Sequence, residues 1–150
     1  MTKPEEIITL LSDHEEAIGN LYRGFAAILP EQKDFWEKCA YEESHHAQMI
    51  RAFQDLLAKG EILLTGKFNS QVLKTSLNYI REQITRVNKQ KITPMEAYAT
   101  ALSIENSLLE NKYFDSFAST SAEFQQVKQI LMDETIRHRN LVQARWEQAR

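Results

Sequence analysis

Seven residues of one stretch, Trp36, Cys39, Glu43, His46, Ile50, Phe53 and Leu57, recur at steps of three and four, the spacing of one helix face. The face is apolar except at Glu43 and His46. Ionisable groups are rarely buried unless they are paired or bound to metal. A carboxylate and an imidazole one turn apart on such a face therefore demand partners from the rest of the chain. The rival row through Glu42 and His45 lacks the upstream Trp36 and Cys39, which favours Glu43 and His46 inward and leaves His45 at the surface.

The remaining periodicity is also helical. Residues 4–29 carry Ile8, Leu11, Glu15, Ile18, Tyr22, Phe25 and Leu29 on one row, with Glu16 on a polar row facing water. Gly19, one turn after Glu15, either relieves crowding there or lets two helices approach closely. The second helix covers residues 32–58. Residues 59–69, with Gly60 and Gly66, read as a loop, and Asn69 or Ser70 caps a helix over 71–88. That helix has a narrow stripe of Leu73, Leu77, Ile80, Ile84 and Val87, as a crossover helix lying against a bundle would. Thr93-Pro94 with Glu96 starts the next helix. Its face reads Tyr98, Ala101, Glu105 and Leu108, flanked by Leu102, Leu109 and Tyr113, and Glu110 is read as exposed. A turn at 119–123 leads into Phe124, Val127, Leu131, Glu134, His138, Leu141 and Arg145. No strand-like alternation stands out. The expected class is all-α: a four-helix bundle of two antiparallel hairpins, with an extra helix in the crossover between the second and third, over a single domain of 150 residues.

The interruptions repeat. Glu43 follows Glu15 by 28 residues and Glu134 follows Glu105 by 29, and each later glutamate is paired with a histidine. The midpoints fall beside Pro30 and at the Ser119–Thr120 turn. Helices joined by a short connection pack antiparallel. At about 1.5 Å per residue, each glutamate then lies roughly 21 Å from its turn. If the hairpins pair, Glu15, Glu43, His46, Glu105, Glu134 and His138 share one level. Four ionised glutamates with two neutral histidines match the charge of two divalent cations, and oxygen and imidazole donors suit iron or manganese.

On these residues the chain resembles the ferritin-like superfamily of di-iron carboxylate proteins, and most closely its rubrerythrin type. The resemblance rests on Glu15 with Tyr22, the run Ala40-Tyr41-Glu42-Glu43-Ser44-His45-His46-Ala47, Ala101 before Glu105, and Glu134 with His138. It implies Glu15 and Glu105 as terminal ligands, Glu43 and Glu134 as bridging ligands, and His46 and His138 as nitrogen ligands of two iron ions, with manganese or zinc as alternatives. The family's second pair is usually Glu-x-x-His. Here His138 follows Glu134 by four, and Thr135 stands three before it. A rotated helix or a π-bulge would restore the ligand; otherwise one bridge is missing.

The resemblance further implies reduction of hydrogen peroxide or dioxygen in oxidative-stress defence. Cys39 is the single cysteine, so the four-cysteine electron-transfer module of full-length rubrerythrins is absent and the electron donor must be a separate protein. A homodimer is the expected assembly. The competing readings are ferrous oxidation and storage, an oxygen-activating hydroxylase, and a non-enzymatic helical interaction module. Tyr22, Tyr98 and Trp36 are assigned to core packing, with electron relay as the alternative. A net charge of −3 argues against a nucleic-acid partner. No apolar run reaches the roughly 20 residues of a membrane span, and the first residues lack the pattern of a signal peptide, so the expected compartment is the cytoplasm.

Overall fold

The computed structural model describes residues 3–65, 69–107 and 109–150. Gly66 and Leu108, expected in the 59–69 loop and on the third bundle helix, lie outside the described residues. Among the described residues the chain is all-α apart from one small two-stranded sheet. Its elements are α1 (Pro4–Ile28), a 3₁₀ turn (Pro30–Gln32), α2 (Lys33–Arg51), α3 (Phe53–Ala58), β1 (Ile62–Leu64), α4 (Gln71–Lys89), α5 (Pro94–Asn106), α6 (Leu109–Phe114), β2 (Phe117–Ser119) and α7 (Ala122–Ala149). Among the described residues no helix is long and apolar enough to cross a membrane.

The helix starts follow local chemistry. Pro4 opens α1 with Glu5 and Glu6 in the first turn, favourable at the positive end of the helix dipole. Thr93 Oγ1 accepts from Glu96 N at 3.1 Å, Ser121 Oγ accepts from Phe124 N at 3.2 Å, and Asn69 Oδ1 accepts from Gln71 N at 2.7 Å, each satisfying a donor the helix leaves open. Gly60, at φ +72°, ends α3 in the left-handed conformation that glycine adopts without steric cost.

Two expectations are corrected. The second helix is not continuous over residues 32–58 but divides at Ala52 into α2 and α3, and the third divides at Ser107 into α5 and α6. The expected absence of strands also fails: β1 and β2 pair antiparallel, with Leu63 opposite Ala118. Strands of three residues are too short to show a period-two pattern.

α1 and α2 run antiparallel, as Ser12 Oγ donates to Ala47 O and Tyr22 and Phe25 meet Trp36 further along. α4 runs parallel to α1, with Ser76 beside His14 and Val87 beside Gly24. α7 packs mainly on α5 and α6 and meets α2 antiparallel through side chains: Glu134 against His46, Arg137 against Glu42 and Arg145 over Phe35.

The core is two apolar lobes with a polar layer between them. One lobe centres on Tyr22, Phe25, Trp36, Ile80, Tyr98 and Val142, the other on Leu11, Ile50, Phe53, Leu73, Phe114 and Phe124. On each long helix the lobes are separated by the same short interval: Ser12–Glu15 on α1, Glu43–His46 on α2, Glu105 at the end of α5, and Thr135–His138 on α7. Even α4 obeys this order, with Ser76 between Leu73 and Leu77.

Gly19 lies beside this layer. A Cβ there would sit 3.4 Å from Ala40 O and 3.5 Å from Glu43 Cβ, ordinary van der Waals distances. Gly19→Ala is therefore expected to stabilise the fold by up to about 1 kcal/mol through helix propensity, a Tm gain of about 2–4 °C in thermal unfolding. A loss of Tm would show that the helices are in closer contact than these distances allow.

Candidate metal centre

Each helix delivers its polar side chains to the layer by its own periodicity. Glu15, Glu43, His46, Glu105 and His138 are all between 2% and 5% exposed. Glu16 and His45 are exposed, so the inward rows of α1 and α2 are the ones the pattern indicates.

The six residues form one continuous network. His138 Nδ1 lies 2.9 Å from Glu43 Oε1. His46 Nδ1 lies 3.8 Å from Glu43 Oε2 and 4.0 Å from Glu15 Oε2, while its Nε2 contacts Glu134 Oε2. The Glu43 carboxylate lies close enough to Glu15 and Glu105 to act on both by charge, and Tyr22 donates its hydroxyl proton to Glu105 Oε1 at 2.7 Å. The His46 and His138 rings stack with centroids 5.4 Å apart. Ligand atoms of Glu43, His46 and His138 lie within 4.8 Å of one another, a geometry able to hold a metal ion.

α7 is set differently from the expected row. Its buried residues are Leu131, Thr135, His138 and Val142, while Leu141 is exposed. Thr135 thus occupies the inward position three before His138, and Glu134 stands at the edge with its side chain 34% exposed. The helix is regular, without a π-bulge. Glu134 reaches the cluster sideways, through His46.

Three residues not assigned to the site also belong to the layer. Glu110, expected to be exposed, is buried at 4%. Its partner is His14, fully buried, whose Nδ1 lies 2.6 Å from Glu110 Oε1. His14 Nε2 is 2.7 Å from Ser76 Oγ on α4. The apolar row Leu11, His14, Ile18, Leu21 carries the signal for His14, since α1 is packed on several sides. Glu42, on the row rejected from sequence, contacts His138 Nε2 at 2.8 Å and the Arg137 guanidinium.

Burial dominates the electrostatics. It pushes Glu15 and Glu105 well above the carboxylate range, with the nearby Glu43 charge adding to both. It pushes Glu43 up to about 7. Burial also raises the Cys39 thiol to about 12, so no thiolate is on offer. For Glu110 burial works upward too, but the His14 charge outweighs it and holds the carboxyl below its usual value. His14 would be lowered by burial, yet Glu110 lifts it above the ordinary imidazole range. The two form an ion pair. Each remaining imidazole–carboxylate contact needs one proton between nitrogen and oxygen, and a metal ion can take the place of such protons.

The fold and the site define a mostly helical protein of the all-α class with a buried Glu/His cluster able to hold a metal ion. No protein-family model, curated protein or solved structure matches the chain.

Proposed function

We propose that the chain is a ferritin-like protein of rubrerythrin type, whose buried cluster holds two metal ions and reduces hydrogen peroxide or dioxygen. Iron is the first choice, with manganese or zinc as alternatives. Electrons come from a separate donor protein, and the working form is a cytoplasmic homodimer. One observation carries the reading: Glu15, Glu43 and Glu105 are all buried, while no lysine or arginine among the described residues is. Buried carboxylates without countercharge either hold protons or hold cations. A helical module with a merely structural core gains nothing from such a layer.

The donor set fits the group. Carboxylate oxygens and imidazole nitrogens suit iron and manganese, and Glu15, Glu43, His46, Glu105, Glu134 and His138 would hold them. Reduced iron, when bound, supplies electrons and an open position to the O–O bond. The chain's own part is to position and to exclude water. Tyr22, buried and held above its usual range by burial and by Glu105, stays a phenol and fixes the Glu105 carboxylate. His14 neutralises Glu110, so that carboxylate does not add its charge to the layer uncompensated. The two lobes seal the cluster above and below, and the half-exposed Glu134 leaves its edge open to a small oxidant.

The test is metal content and response to oxidant. Protein reconstituted with ferrous iron is expected to retain about two ions per chain and to react faster with peroxide than with dioxygen in stopped flow. Glu43→Ala should abolish any rise in Tm on adding metal, because metal binds only the folded site. Iron far below two per chain in well-folded protein, or a Tm rise that survives Glu43→Ala, overturns the reading.

A further inference from the structure

A second group of ligand atoms lies between the buried cluster and solvent. Glu42, Glu134 and His138 also place one ligand atom each within 4.8 Å of the others. Exposure falls steeply across the two groups: 34% for the Glu134 side chain, 17% for Glu42, and 2% to 4% for His138, His46 and Glu43. His138 belongs to both. Its Nε2 faces Glu42 at 2.8 Å on the solvent side, and its Nδ1 faces Glu43 at 2.9 Å on the buried side. The outer group already holds a positive charge, since the Arg137 guanidinium rests on Glu42 Oε2, the same oxygen that meets His138. Arg137 is itself 44% exposed and hangs from a flexible stem, so it can leave without disturbing the core.

We propose that Glu42, Glu134 and His138 form a loading site for divalent cations, in which an incoming metal ion displaces the Arg137 guanidinium from Glu42 and passes inward across the His138 ring to Glu43 and His46. The inference rests on the metal-centre reading above and adds the route by which the centre is filled. A buried cluster sealed by two apolar lobes needs such a route, because a hydrated cation cannot cross either lobe without losing its water uncompensated. The graded ligands let water be exchanged for carboxylate and imidazole stepwise. Arg137 acts as a resident counter-ion, keeping the outer carboxylates from repelling each other until metal arrives. The competing reading is a surface ion pair of small energetic value, which has no influence on metal uptake.

Mixing metal-free protein with Co²⁺ alone, followed by its visible absorption in stopped flow, separates the two. Glu42→Gln is expected to slow uptake about tenfold, in the range that charge at a binding cleft controls, while the final number of ions per chain stays at the wild-type value. Arg137→Gln is expected to accelerate uptake while its metal-free urea midpoint stays at the wild-type value, which separates the loss of the counter-ion from a loosened site. Unchanged rates in both variants overturn the proposal, as does a lower final stoichiometry in Glu42→Gln, which would make Glu42 a resident ligand. Failure of the wild-type protein to take up Co²⁺ would instead remove the metal centre itself, and the loading site with it.

Discussion

Metal-free protein is expected to lose about 3 kcal/mol of folding stability through Glu43 alone as the pH rises from 4.5 to about 7. The sign follows from which state holds the proton. In the folded protein burial keeps Glu43 protonated in a range where the unfolded chain has released that proton. The folded state therefore binds more protons, and stability falls with pH. The stability is fully present below the unfolded value and lost on approach to the folded one. Glu15 and Glu105 shift in the same direction from the same cause, so the decline continues to higher pH. Glu110 and Glu42, held low by His14 and by His138 with Arg137, act oppositely and only in the acid range. A urea midpoint that is highest in mildly acidic buffer and falls towards pH 8, at constant slope, is the expected result. Excess Mn²⁺ should reverse the trend, because ligands must shed protons to bind metal. A midpoint that rises between pH 5 and 7 without metal would show that the layer is hydrated rather than sealed.

The second large effect is expected at Glu110. Glu110→Leu strands His14, which is fully buried and 2.6 Å from the lost carboxylate. Removing one partner of a buried ion pair costs about 3–5 kcal/mol, whereas replacing both with apolar residues is often nearly neutral. The double variant His14→Leu with Glu110→Leu should therefore recover most of the loss, giving a large coupling energy in a double-mutant cycle by urea denaturation. A single-variant loss below about 1 kcal/mol, the value of an exposed pair, would mean the pair is open to water.

The contrast between Glu43 and Glu110 shows what a sequence makes legible. Glu15, Glu43, His46, Glu105 and His138 each interrupt an apolar row on a helix, and local periodicity is enough to see them. Glu110 follows the break at Ser107, which resets the facing of α6 relative to α5, so counting turns from Glu105 misplaces it. His14 is hidden for another reason. α1 contacts both α2 and α4 and buries His14 together with Glu15, whereas a single-row reading admits only one inward face. On α7 two apolar rows compete, one ending in Leu141 and the other in Val142; the neighbouring helices select Val142 and thereby Thr135 over Glu134. Glu42 is recruited by His138 and Arg137 from α7, a relation that its own helix does not encode. The strand pair joins segments far apart in the chain and too short to carry a pattern.

The division of the core into two lobes has a mechanical consequence. A helical bundle with one continuous core opens most readily at its frayed ends. Here both ends are clamped by aromatic and aliphatic packing, while the waist carries charge and buries little that is apolar. The weakest cross-section of the molecule is its middle. The described fold is thus two short helical packs stacked end to end, and an ion seated between them would be a fastener as well as a reagent, making the loss of that ion and the loosening of the waist one event.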